Sequence, residues 1–146
     1  MPILPFDPQR RLIEIAAFAS NGRRLALRML IDTGASMTGL REAALLALGI
    51  DPQSAEQTLQ LNTASGTVSV PVVIVPNLYV FGVSLADVPV LCLPLPAAVR
   101  ADGVLGNDVL GRFWLFINHR RGLLVAERAS NFWRRWRLWW QVMRAS

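Results

Sequence analysis

Residues 11–31 alternate or run apolar as RLIEIAAFA and RRLALRMLI on either side of Ser20-Asn21-Gly22. Asn-Gly between two such runs predicts an opening β-hairpin with a two-residue turn. Its second strand carries Met29, Leu30 and Ile31 into Asp32, so a carboxylate stands where a largely buried strand meets a Gly-containing loop. Beyond that loop, LREAALLALGI sets Leu40, Ala44, Leu45 and Leu48 at helical spacing, with Glu42 in the first turn and Gly49 as a C-cap. This predicts a short helix. The stretch QTLQLNTASGTVSVPVVIV alternates on both sides of residues 62–66 and reads as a second hairpin with an exposed polar tip. NLYVFG and VSLADVPVLCLP follow as strands, DGVLGNDVLGRF as a buried strand entering a short helical turn, and FWLFINHRRGLLVAER as a final hairpin around Asn118 to Gly122. The expected class is therefore mainly β, with one or two short helices.

A chain of 146 residues suits one domain able to bury a core, and 53% hydrophobic against 17% charged residues is the balance of a folded protein. The single cysteine, Cys92, lies in the apolar run VPVLCLPL, which excludes a disulfide framework and reads as a buried, inert thiol. The opening MPILPFDPQR has three prolines and lacks the basic and apolar regions of a secretory signal, so a cytoplasmic location is expected. Residues 57–86 carry no charge, but the prolines and polar residues within them suit strands and not a bilayer span. Charge changes the picture only at the C-terminus. In residues 1–127 ten Arg balance ten Asp and Glu, whereas residues 128–146 hold five Arg and no acid, so the whole net charge of +5 lies in the tail.

Asp32-Thr33-Gly34 alone is ordinary turn composition. Here it follows a hydrophobic strand, precedes a Gly-tipped hairpin by about 30 residues, and is joined later by Val104-Leu105-Gly106. In that order the motifs IDTGAS and DGVLG resemble the retropepsin-like aspartic proteases, the single-lobe family that includes retroviral proteases and bacterial relatives. The resemblance covers roughly residues 10–127, and it implies a closed β-barrel of the acid-protease type.

Such enzymes activate water between two carboxylates, one ionised as general base and one protonated as general acid. This chain offers one candidate, Asp32, because Asp102 and Asp108 flank the VLG strand as turn and helix-cap residues. The second carboxylate must then come from another copy, so a homodimer is expected, with identical aspartates meeting on its two-fold axis. By the same resemblance, Thr33 would hydrogen-bond across that axis and Gly34 would let the backbone approach the carboxylate. Ala35 and Ser36 would complete the loop, with the Ser36 hydroxyl bonded near Asp32. Residues Thr63, Ala64, Ser65, Gly66 and Thr67 would form a flap that closes over an extended peptide, leaving specificity to apolar pockets beneath it. Gly106, after Val104 and Leu105, would pack against the active-site loop. No cofactor or metal is expected: His119 sits in the turn NHRRG with no Cys or second His nearby, and neither Ser36 nor Ser65 has a His partner.

Retroviral members are shorter and end in strands that interleave in the dimer, whereas this chain continues as ASNFWRRWRLWWQVMRAS. The sequence therefore divides into a protease-like domain, 1–127, and a basic Trp-rich tail, 128–146. Ser130 or Asn131 could cap an amphipathic helix with Phe132, Trp133, Trp136, Trp140 and Met143 on one face and Arg134, Arg135 and Arg137 toward the other. That composition suits peripheral attachment to an anionic membrane surface, or packing on the body or across a dimer. Nucleic acid is not an expected partner, because the body is neutral and no recognition fold appears. The expected activity is aspartic endopeptidase cleavage of peptide or protein substrates. The alternative is a catalytically silent dimerisation or peptide-binding module tethered by its tail.

Overall fold

A short strand that the hydrophobic pattern did not predict, β1 (Ile3–Pro5), opens the chain in a computed structural model that describes residues 2–129. The expected C-terminal amphipathic helix, with Phe132, Trp133, Trp136 and Trp140, lies outside the described residues. The first predicted hairpin is β2 (Glu14–Ser20) and β3 (Arg24–Ile31), paired from Glu14 with Leu30 to Ser20 with Arg24. Alternation puts Ile15, Ala17, Ala19, Leu27 and Met29 inside, each no more than 3% exposed. Its turn has three residues, not two. Asn21 donates its N–H to the Arg23 carbonyl at 3.1 Å and its side-chain amide to the Leu48 carbonyl at 3.2 Å, while Gly22 takes the positive φ. The Asn side chain is engaged by a distant helix end, so the local Asn-Gly rule gives way to a tertiary contact.

Next come β4 (Gly39–Leu40), α1 (Glu42–Ala47) and a 3₁₀ turn at Pro52–Ser54. The helix is shorter than the motif suggested, and Gly49 ends it at φ +74°. The Ile50 N–H reaches back to Leu45 O and the Gly49 N–H to Leu46 O, both at 2.9 Å. Then follow β5 (Gln57–Thr63), β6 (Gly66–Val80), β7 (Val83–Cys92), β8 (Gly103–Leu105), α2 (Asn107–Leu110), β9 (Phe113–Asn118) and β10 (Leu123–Arg128).

Six strands, in the order β2-β3-β8-β4-β7-β6, close into a barrel when β6 returns to β2 through Phe18–Tyr79, Ala19–Leu78 and Ser20–Asn77. Closure leaves no free edge among them. β8 lies between β3, to which it is parallel, and β4, to which it is antiparallel, and all three of its residues are buried. The pattern predicts a break at Pro76, yet β6 is one strand of fifteen residues. Residues 66–71 of it pair only with β5, Val72 pairs with both β5 and β7, and the remainder pairs with β7 and β2. The β5–β6 hairpin therefore extends past the barrel, with β5 exposed along almost its whole length. A three-stranded sheet, β1-β10-β9, packs Leu124, Ala126 and Phe113 onto the same core, and Phe113 meets Phe81 edge to face at 4.9 Å.

Candidate active site

The β3 ladder continues one residue past its end, because the Asp32 N–H donates to the Leu105 carbonyl at 3.1 Å. The chain then turns on itself. The Gly34 N–H donates to Asp32 Oδ1 at 2.9 Å and the Ala35 N–H to the Asp32 carbonyl at 3.2 Å. A Cβ on Gly34 would sit 3.2 Å from that carboxylate oxygen, so a side chain there would press directly on the acid. Asp32, Thr33, Gly34 and Ser36 are all exposed in the single subunit.

What fixes this loop is the turn between β8 and α2. Asn107 donates its N–H to the Ala35 carbonyl at 2.8 Å and its side-chain amide to the Thr33 carbonyl at 2.7 Å, and the Asp108 N–H reaches the Ser36 carbonyl at 3.2 Å. Below them Thr38, fully buried, donates both its N–H and its hydroxyl to Asp108 Oδ1, at 2.9 and 2.8 Å. The same hydroxyl accepts the Gly106 N–H at 3.1 Å. A Cβ on Gly106 would stand 2.5–2.9 Å from the Met37 backbone, so only a hydrogen fits where the two loops cross. Val104 and Leu105, buried in β8, carry Gly106 to that crossing.

The expected Ser36 hydroxyl bond to Asp32 is not made in the subunit. Ser36 holds the loop through its carbonyl, and the carboxylate's bonded partner is the Gly34 N–H. The Thr33 hydroxyl makes no hydrogen bond among the described residues. Asp102 and Asp108 are engaged in structure: Asp102 accepts the Arg28 N–H at 2.7 Å, and Asp108 takes up Thr38 and the Val109 N–H. Thr38, Asn107 and the bracing role of Asp108 were not found from sequence. Their only local signal is a Thr and an Asn-Asp pair directly beside the two motifs.

The projecting hairpin ends in a two-residue tip, Ala64-Ser65, between paired Thr63 and Gly66. The Thr63 hydroxyl donates to Gly66 O at 2.7 Å and accepts the Ser65 N–H at 3.3 Å, Gly66 takes φ +123°, and the Thr67 hydroxyl meets Asn62 Oδ1 at 3.1 Å. One row of paired residues runs Val72–Leu91–Gly39–Val104–Leu30, tying the base of this hairpin to the strand that ends at Asp32. His119 is an exposed turn residue set edge-on against Phe6. Among the described residues no three His, Cys, Asp or Glu side chains converge to hold a metal. Burial, and secondarily Glu42, push the Cys92 thiol up from its ordinary value.

The family model described as "Aspartyl protease" matches residues 16–109. A retropepsin-like aspartic protease from Rickettsia conorii superposes with a TM-score of 0.68 at 21% identity, covering 86% of this chain and 89% of its own. The six-stranded barrel with its crossed loops is thus a retropepsin-like fold. No curated protein matches the chain.

Proposed function

This chain belongs to the aspartyl protease family, and we propose that it is an endopeptidase in which two subunits each contribute one Asp32 to a shared catalytic pair. The observation that carries this reading is an exposed carboxylate at the end of a barrel strand, held by the Gly34 N–H on a loop braced at three backbone carbonyls. Pre-set geometry of this kind lets a carboxylate direct a water molecule without reorganising. A second acid is needed, and Asp102 and Asp108, the acids that flank β8, are committed to Arg28 and Thr38. A two-fold dimer supplies it, with the free Thr33 hydroxyl available to bond across the axis.

In this mechanism the ionised Asp32 takes a proton from water as its oxygen attacks the peptide carbonyl carbon. The protonated partner gives its proton to the carbonyl oxygen, forming a tetrahedral diol. The proton gained from water then passes to the amide nitrogen, the C–N bond breaks, and the carbonyl re-forms, returning a proton to the pair. The β5–β6 hairpin would fold over an extended substrate and pair with its backbone.

The test is cleavage of a mixed peptide pool across pH 3 to 8, comparing the native chain with Asp32→Asn at several protein concentrations. New termini that need Asp32, with specific activity rising with concentration, support the dimeric peptidase. Folded, dimeric protein that cuts nothing rejects it in favour of a silent peptide-binding module.

A further inference from the structure

We propose that a groove beside Asp32 is a subsite for an acidic side chain of the substrate, read by Arg11 and Arg100; this inference rests on the peptidase reading above. A cavity of about 490 Å³ is lined by Arg10, Arg11, Leu12, Glu14, Leu30 and residues 98–101. Leu30 places it. Residues i and i+2 of a strand project to the same side, and the β3 ladder still holds at Asp32, so the wall formed by Leu30 faces the side the carboxylate faces. Two residues of strand span roughly 6–7 Å, which is also two residues of an extended peptide. A substrate bound across Asp32 therefore directs a side chain near its cleaved bond into this groove.

The charges there do not balance locally. Arg10 lies 3.6 Å from both Asp7 and Glu14, and Arg28 lies 3.8 Å from Glu14 while donating to the Arg100 carbonyl at 3.1 Å. The Asp102 carboxylate accepts the Arg28 N–H. Every acid around the groove is thus engaged. Arg11 and Arg100 line it, are exposed, and make no ion pair or side-chain hydrogen bond among the described residues. The wall that carries Arg100 is also fixed: the Arg41 guanidinium donates to the Val99 and Ala101 carbonyls, and the Asp102 N–H reaches the Arg28 carbonyl at 2.8 Å. Two guanidinium groups lining one groove match a carboxylate in charge, and each can offer it planar, two-pronged geometry. Leu30 and Leu12 supply apolar surface for the methylenes of a Glu side chain.

The experiment uses the full chain and pairs of peptides that differ only by Glu or Gln at one position, scanned over three residues on each side of the cleaved bond. At one position Glu should raise kcat/KM about tenfold over Gln, the sum of two partly solvated ion pairs, and added salt should shrink that ratio. The ratio should fall to near unity in the double variant Arg11→Gln, Arg100→Gln, and Arg100→Glu should shift preference toward Lys peptides. Circular dichroism checks that these variants are folded. Cleavage without a Glu preference at any position, or a preference untouched by the double variant, overturns the subsite and leaves the peptidase reading intact. If the native chain cuts nothing, the same peptides carrying a fluorophore are titrated against it. Tighter capture of the Glu member that disappears in the double variant keeps the subsite while the peptidase reading falls; equal or absent capture overturns the subsite too.

Discussion

Thr38 and Asp108, seventy residues apart, are joined twice, through the Thr38 N–H at 2.9 Å and its hydroxyl at 2.8 Å, both to Asp108 Oδ1. The hydroxyl also receives the Gly106 N–H, so a single buried oxygen ties the loop after β3 to the turn after β8. Thr38→Val keeps the shape but strands the Gly106 N–H and removes one donor from a carboxylate. It should lower stability by about 2–3 kcal/mol. Thr38→Ser keeps the hydroxyl and loses one buried methyl, a cost of about 1 kcal/mol. Urea unfolding of the two variants checks the order; a smaller loss in Thr38→Val than in Thr38→Ser would show that packing, and not the hydrogen bonds, holds the crossing.

The two glycines of the crossing should behave differently. In Gly106→Ala the new methyl meets Met37 backbone at 2.5–2.9 Å, where nothing flexible can yield. Loss of at least about 2 kcal/mol, or failure to fold, is expected. In Gly34→Ala the methyl meets only the Asp32 carboxylate, at 3.2 Å, so the protein should fold but hold its acid out of place. Turnover should drop on the order of a hundredfold, the penalty for roughly ångström-scale misplacement of a reacting group. Thermal melts and kcat measured side by side separate the two effects.

Much of this was legible because it is local. Ile15, Ala17, Leu27 and Met29 alternate as a half-buried hairpin must, and Gly49 marks a helix end that only a left-handed residue closes well. IDTGAS stands out for a physical reason: its apolar run ends directly in an acid and a glycine, which sets a carboxylate at the end of a buried strand. The misses depend on partners distant in sequence. Phe81-Gly82 is the turn between β6 and β7, yet Phe81 sits at φ +53°, a conformation that no turn rule grants a bulky residue. Burial of its ring against Phe113 holds it there. β1 exists because Ile3, Leu4 and Pro5 find β10 at the other end of the chain, and Thr38 matters only once Asp108 arrives beside it.

Cys92 offers a check on burial that is independent of activity. Its thiol is pushed up first by desolvation and then by the negative charge of Glu42, so a smaller fraction is thiolate near about pH 8 than in an unfolded chain. Alkylation by iodoacetamide should be slower in the native protein than in urea and should keep accelerating at pH values where the unfolded thiol has levelled off. Glu42→Gln removes only the lesser cause and should quicken the native reaction modestly. Native and unfolded chains with the same pH profile would contradict the placement of Cys92.

The sharpest test of a shared catalytic pair is a mixture. If each active site takes one Asp32 from each subunit, a dimer carrying a single Asp32→Asn copy has lost one of its two carboxylates and should turn over at a small fraction of the native rate. Native and variant chains mixed in equal amounts and allowed to exchange should form native dimers at about a quarter of the total. Activity per total protein should therefore fall with the square of the native fraction, to about a quarter at equal mixing, against about half if each subunit worked alone. The pH profile of the native dimer should be bell-shaped. Activity fails at the acid side when both carboxylates are protonated and no base remains, and at the alkaline side when both are ionised and no acid remains. A linear mixing curve would leave the barrel, the crossed loops and the braced Asp32 as they are and would assign the second proton-transfer group to the same subunit.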